Sequence, residues 1–243
     1  MERDVMQGQA EFSAIIVAAG SGLRTGLRDP KQFLELAGRP MFRWSLDTLL
    51  ACDTLKELVL VINAKFENHY RDHLPDDQRI RLVQGGLTRF ESVKNGLDTL
   101  TKETDLVLIH DAARPFIDKK DIETALEKAT DHDALTFAVC VTDSLRREKS
   151  RAEINKAGKT VDRSGLWAIQ TPQIFRTSSL RQAIGQWPQD TAPTDETQIL
   201  SHAGFEVLFF EGSTRNIKIT TSEDIALARH IATPENKDQS RFV

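Results

Sequence analysis

The chain has 243 residues, of which 40% are hydrophobic and 28% charged, and its formal net charge is −4. That length suits one α/β domain with a full core, and the slightly acidic balance argues against a general nucleic-acid binder, whose footprint is broadly basic. Cys52 and Cys140 are too few for a disulfide framework or a zinc site, and no apolar run approaches the roughly 20 residues of a membrane span.

Residues 1–12 read as a polar extension without the apolar segment of a signal peptide, so a cytoplasmic protein is expected. The run Ala14, Ile15, Ile16, Val17 predicts a buried strand. It empties into a loop holding Gly20, Gly22 and Gly26 with Arg24, Arg28 and Lys31, and no acidic residue before Asp29. Glycines allow close backbone approach, successive amides form an anion-binding concavity, and the cations add full charge, so the loop suits a polyphosphate. A dinucleotide fingerprint needs its third glycine at position 25, where Thr25 stands, and Pro30 breaks an early helix. The Gly-Lys-Ser/Thr end of a P-loop is absent.

Residues 40–50 predict a helix with Pro40 at its start, residues 58–62 a strand, and residues 65–74 an exposed helix with His69 and His73 as two solvated histidines on one face. A third strand at residues 80–83 leads to Gly85 and Gly86. The helix that follows has Thr88 and Glu91 as a capping box and Phe90, Val93, Leu97 and Leu100 as its apolar face. Arg89 and Ser92 lie in its first turn, where unpaired amides favour an anionic or polar ligand.

Residues 106–109 predict a fourth strand ending at His110 and Asp111. A carboxylate outside the end of such a strand either helps hold a divalent metal beside phosphates or pairs with nearby Arg114. Asp118 caps a helix with Ile122, Ala125, Leu126 and Ala129 facing the core, and residues 134–141 form a fifth strand with Cys140 as a buried small hydrophobe. The alternation argues a parallel, doubly wound sheet. Residues 142–159 are rich in charge and poor in core candidates, which leaves a mobile loop or a hairpin arm leaning on a partner. Leu180 and Ile184 mark a short helix, Thr194 is expected to cap another, and residues 206–210 form a strand. In residues 216–219 the alternation puts Ile217 and Ile219 on one face and Lys218, read as solvated, on the other. A helix at residues 222–231 closes the domain, and residues 232–243 form a polar tail.

Several of these motifs recur together in one known family. Residues 18–24 with Pro30 and Lys31, Gly85 and Gly86 with Arg89 and Ser92, residues 110–115, residues 160–167, residues 170–173, Thr194 to Glu196, and residues 216–218 occur in order from about residue 13 to residue 231. In series they resemble the 2-C-methyl-D-erythritol 4-phosphate cytidylyltransferases. The resemblance implies a Rossmann-like nucleotidyltransferase fold at residues 13–231, with residues 142–165 as a protruding β-arm that embraces the other subunit of a homodimer.

It also implies transfer of CMP from CTP to the phosphate of a polyol phosphate, with release of pyrophosphate. Arg24 and Lys31 would be catalytic. Ala18, Ala19, Gly20, Ser21, Gly22, Gly86, Arg89, Ser92 and Ala112 would bind the nucleotide. Asp111, Arg114, Ser144, Thr171 and Thr194 would line the acceptor pocket, with Arg163 and Lys218 aiming the acceptor phosphate and Ser144 and Arg163 coming from the neighbouring subunit. Mg²⁺ would be held mainly by the triphosphate, with Asp111 as its protein ligand. Two departures are visible: Val17 replaces a proline common at the first strand's end, and Leu87 stands where a polar residue is usual. Ribitol 5-phosphate is the alternative acceptor, and a non-catalytic nucleotide-binding module is the alternative of another class.

Overall fold

Apolar residues on both faces of a strand require cover on both sides, and this chain builds it by alternating strands with amphipathic helices. The computed structural model describes residues 10–20, 30–101, 103–149, 156–188 and 191–233. Strand β1 (Phe12–Val17) comes first, followed by a two-residue hairpin of β2 (Glu35–Leu36) and β3 (Arg39–Pro40). Next come α1 (Met41–Leu50), β4 (Leu55–Ile62), α2 (Glu67–Arg71), β5 (Ile80–Gln84), α3 (Arg89–Thr99) and β6 (Leu106–Asp111). Then α4 (Lys119–Ala129) and β7 (Ala134–Cys140) lead into a separate antiparallel hairpin of β8 (Leu145–Glu148) and β9 (Ala157–Val161). The chain returns through β10 (Trp167–Arg176), α5 (Thr177–Gln186), α6 (Glu196–His202), β11 (Val207–Glu211) and α7 (Ser222–Ala232).

The central sheet of the described residues has seven strands in the order β11-β7-β10-β6-β1-β4-β5. Strand β10 runs antiparallel to both neighbours, and every other pair is parallel. The mostly parallel, doubly wound α/β sheet is therefore as the sequence predicts, with one reversed strand that it did not reveal. Ile16 and Phe12 of β1 pack with Phe42, Leu46 and Leu49 of α1 and with Ile122 and Leu126 of α4. On the other face Ile15 packs with Val93 and Leu97 of α3 and with Leu180 of α5. A Cβ at Gly96 would sit 2.7 Å from Ile15 Cγ2, so a side chain there would push α3 off the sheet.

The chain builds outward from β1 on one side as β4 and β5 and on the other as β6, so the order reverses at β1. Ligand clefts of open α/β sheets lie outside the strand ends at such a point. The register aligns Val17 with both Val61 and Asp111, so three strands end level with one another. Loop residues 216–219 and helix α7 cover one side of this edge through a small cluster of Leu36, Met41, Ile219, Ile225 and Ala228.

Three local expectations need correction. Cys140 is exposed, not buried, because β7 runs past the cover of its helices, with Val139 half-buried and the next residue out. The helix expected over residues 65–74 is a 3-10 turn followed by the five-residue α2. His69 there is exposed and His73 half-buried, so the pair stays in reach of solvent as expected while its rings lie 4.2 and 6.3 Å from that of Phe33. The cap of α6 is Asp195, whose carboxylate accepts from the Gln198 amide, while Thr194 hydrogen-bonds to the Gln198 side chain. The capping box of Thr88 and Glu91, the Asp118 cap and the buried face of α4 are as expected. No helix among the described residues is long and apolar enough to cross a membrane.

Candidate functional site

The β1 tip is held from below. The Ala18 amide donates to Val61 O at 2.7 Å, so that amide is committed to the sheet and only Ala19 and Gly20 extend the turn among the described residues. The buried Tyr70 hydroxyl donates to Ala18 O at 3.0 Å, and Gln32 Nε2 donates to Gly20 O at 2.7 Å. Both carbonyls are thus held by the protein's own side chains. Ser21, Gly22, Arg24 and Arg28 lie outside the described residues. Lys31 begins the 3-10 turn after them, and its ammonium donates to Ile219 O at 2.7 Å.

Beside this tip, β5 delivers Gly85 and Gly86 to the start of α3. A Cβ at Gly85 would lie 2.3 Å from Ala19 Cβ, so only glycine lets the β5 loop meet the β1 turn so closely. Ser92 Oγ accepts from the Gly86 amide at 3.1 Å and donates to Thr88 O at 2.9 Å, which spends its hydrogen within the loop. Leu87 projects from the same loop with 99% of its surface exposed, an apolar side chain at the lip of the cleft. Ala112 is buried, and its amide donates to Val17 O.

The far side of the cleft is a buried network of charge. Arg89 Nε donates to Asp111 Oδ1 at 2.9 Å, while one terminal nitrogen donates to both Glu196 oxygens at 2.7 and 2.8 Å. Lys218 Nζ donates to Asp111 Oδ2 at 2.6 Å, so Lys218 is ion-paired and not merely solvated. Arg114 reaches Asn216 O at 2.8 Å, and Asn216 in turn donates to Thr171 O at 2.9 Å. Two carboxylates, Asp111 and Glu196, stand against three cations, Arg89, Lys218 and Arg114, which leaves one net positive charge. An arriving anion would balance it.

Burial opposes ionisation of Asp111, but the Arg89 and Lys218 charges overcome it and hold the carboxyl well below the usual carboxylate range. Burial raises the Glu196 carboxyl against the pull of Arg89. Its two oxygens nevertheless both accept from the guanidinium, the arrangement of an ionised carboxylate. Arg89 is raised despite burial because both carboxylates hold it charged.

His110 fixes the backbone under Asp111. Its Nε2 lies 2.9 Å from Arg114 O, and because a carbonyl only accepts, Nε2 carries the hydrogen. Its Nδ1 then accepts from the Thr171 hydroxyl at 3.0 Å, and that hydroxyl accepts from the Asp111 amide at 3.0 Å. Burial pushes the His110 pKa down to about 4. An unfolded imidazole titrates near 6.5, so this stabilisation is complete above about pH 6.5 and is lost as pH falls toward about 4, a difference of about 3 kcal/mol. The urea midpoint is expected to fall from pH 7 to pH 5 by more in the natural chain than in His110→Gln, whose side chain does not titrate. Equal pH slopes would remove His110 as the cause.

The structure thus brings Lys31, Gly86, Arg89, Ser92, Asp111, Ala112, Arg114, Thr171 and Lys218 to the level strand ends. Thr194 is exposed two residues before Glu196. Ser144 and Arg163 are exposed near the two ends of the β8–β9 hairpin and form no hydrogen bond to this network among the described residues. Both Asp111 oxygens already hold cations, and no group of three or more His, Cys, Asp or Glu side chains suited to a metal occurs among the described residues. Sequence reasoning gave no role to Glu196, named there only as the end of the Thr194 to Glu196 motif, or to the tethers Tyr70 and Gln32. An acidic residue just inside a helix start is ordinary dipole complementarity, and this concealed the partner of Arg89.

The family profile described as IspD, 2-C-methyl-D-erythritol 4-phosphate cytidylyltransferase, matches residues 12–234. The chain is 37% identical over 221 residues to the 2-C-methyl-D-erythritol 4-phosphate cytidylyltransferase of Haemophilus influenzae, covering 90% of this chain and 96% of that one. It is 39% identical over 223 residues to the bifunctional enzyme IspD/IspF of Caulobacter vibrioides, and there it covers 91% of its own length but spans only 57% of the relative. In three dimensions it matches the crystal structure of 4-diphosphocytidyl-2C-methyl-D-erythritol synthase from Anaerococcus prevotii. The TM-score is 0.79 at 30% identity, covering 92% of this chain and 98% of the other.

Proposed function

The chain belongs to the 2-C-methyl-D-erythritol 4-phosphate cytidylyltransferase family, and from that premise we propose that it transfers CMP from CTP to 2-C-methyl-D-erythritol 4-phosphate in non-mevalonate isoprenoid precursor biosynthesis. The observation that carries this reading is the convergence, at one set of strand ends, of the tethered β1 turn, the Gly86–Ser92 loop and a buried network with one net positive charge. A phosphate oxygen of the acceptor attacks the α-phosphorus, forming a new P–O bond. The bond from the α-phosphorus to the bridging oxygen breaks, and pyrophosphate leaves with its electrons. The nucleophile is already an anion, so no general base is needed; His110, buried and neutral, takes no proton. The chemistry instead needs in-line placement and neutralisation of phosphoryl charge.

Lys31 and Arg24 supply positive charge on the triphosphate side. Gly86 and Ser92 shape the base pocket, and Lys218 with Arg114 receives the acceptor phosphate. A divalent cation such as Mg²⁺ enters with the triphosphate as part of the substrate, because Asp111 would have to release Arg89 or Lys218 to ligate it. Incubating the chain with CTP, Mg²⁺ and either 2-C-methyl-D-erythritol 4-phosphate or ribitol 5-phosphate tests the reading. Pyrophosphate release with the first acceptor is expected. Release only with ribitol 5-phosphate would reassign the acceptor, and none with either would leave a binding module.

The active unit in this reading is a cytoplasmic homodimer in which the β8–β9 arm reaches the partner's site. Leu166 and Phe209 are exposed near the base of that arm, with the Phe209 ring tilted 34° to that of Trp167 at 5.3 Å, an apolar patch that a second subunit would cover. Arg163→Ala is expected to raise the KM for the acceptor about tenfold with little change for CTP. Dimers mixing it with a Lys31→Ala chain should regain activity through the sites that combine both intact residues. A fully active monomer in sedimentation would refute the crossing.

A further inference from the structure

We propose that Glu196 is a positioning residue for the acceptor phosphate, acting through Arg89 and Asp111 on Lys218. These four side chains form a line of alternating charge, with contacts of 2.7 and 2.8 Å, then 2.9 Å, then 2.6 Å. Its inner end is the fully buried Glu196, and its outer end is Lys218, whose side chain is 40% exposed toward the cleft. Three elements meet along it: the first residue of α3, the last residue of β6 and the first residue of α6. Arg89 therefore joins the helix that carries Ser92 to the helix that follows Thr194.

A guanidinium is a rigid planar fork, so two carboxylates on different edges fix its plane. Glu196 holds one terminal nitrogen, which aims Nε at Asp111 Oδ1 and leaves Oδ2 for Lys218. Without Glu196 the fork can rotate, and Asp111 loses the contact that orients it. The charge balance changes as well. With Glu196 present, Arg89 is balanced between two anions, and the uncancelled positive charge belongs to Lys218 and Arg114 at the cleft. With Glu196 removed, excess positive charge sits at the inner end and draws an anion off its line of attack.

This inference rests on the proposed transfer reaction, which the natural chain's turnover tests separately. A double-mutant cycle tests Glu196. Glu196→Gln is expected to raise the acceptor KM at least about tenfold, as misplacement of a binding group does, with the KM for CTP moving less than about threefold. Because Glu196 acts through Arg89, Arg89→Met and the double variant Arg89→Met with Glu196→Gln should share one acceptor KM. Additive effects on that KM, or a folded Glu196→Gln chain with both KM values unchanged, would reduce Glu196 to a structural partner of Arg89.

Should Glu196→Gln fail to fold, Arg89→Met with Glu196→Leu decides, since apolar volume commonly replaces a buried ion pair without loss of stability. A thermal midpoint near that of the natural chain with a raised acceptor KM supports the proposal. A normal acceptor KM in that variant overturns it.

Discussion

Lys31→Ala is expected to lower kcat by about 10²–10³-fold, the usual cost of removing one preorganised donor from developing charge, while changing the KM for CTP little. The reason lies in where the ammonium is held. Lys31 opens a rigid 3-10 turn whose next residue, Gln32, is buried and pins Gly20 O at 2.7 Å. The lysine and the β1 turn are therefore fixed to one another and not merely near in sequence. Its ammonium rests on Ile219 O at 2.7 Å, one residue from Lys218, which is paired to Asp111. One short segment thus braces a cation on the triphosphate side and a cation on the acceptor side.

Charge on the phosphoryl oxygens and the leaving pyrophosphate rises only as the bond breaks, so a fixed cation contributes more to the transition state than to CTP binding. Lys31→Arg should recover little, because a planar fork cannot occupy the place of a compact ammonium set by a single carbonyl. Steady-state kinetics at saturating acceptor, with pyrophosphate release as the signal, gives kcat and the KM for CTP together. Turnover within a few-fold of the natural chain would remove Lys31 from the chemistry.

How much of this was legible in the sequence depends on how far apart the partners lie. Local physics was readable: the apolar run before Ala18, the capping box at Thr88 and Glu91, and the core stripe from Ile122 to Ala129 all depend on neighbours a few residues away. Strand direction was not. β10 has Gln170, Thr171, Pro172 and Gln173 at its middle, so no apolar run marks it as a strand, and only its pairing with Ile109 and Ala134 fixes it as antiparallel. Thr194 and Asp195 are both good caps, so spacing alone could not choose between them.

The charge network was hidden for another reason. Lys218 and Asp111 are 107 residues apart in sequence, as are Arg89 and Glu196. Taken singly, Lys218 looks like a solvated charge and Glu196 like ordinary helix-start acidity, while Asp111 offers a metal or Arg114 as its partner rather than Arg89 and Lys218. The order of motifs identified the family, whereas the pairing of one charge with another belongs to the folded chain alone.

Asp111→Asn should be the most damaging single change in that network. An amide offers one acceptor where the carboxylate offers two, so either Arg89 or Lys218 would face a second donor. Removing one member of a buried ionic cluster commonly costs about 3–5 kcal/mol, because the remaining charges stay buried and uncompensated. Arg89, Lys218 and Arg114 would then face Glu196 alone, and acceptor kcat/KM is expected to fall by about 10²-fold or more as the phosphate site loses its geometry.

The pH dependence separates charge from shape. Asp111 is held below the ordinary range by Arg89 and Lys218, so its stabilising charge is fully present above the unfolded carboxylate value of about 3.9 and is lost as pH falls through the folded value. The stability gap between the natural chain and Asp111→Asn should accordingly stay level from about pH 5 to pH 8 and narrow only in stronger acid. Urea unfolding of both chains across that range measures the gap directly. A gap that closed near neutral pH would mean that Asp111 is not held ionised by its two cations, and the acceptor site would need a different electrostatic foundation.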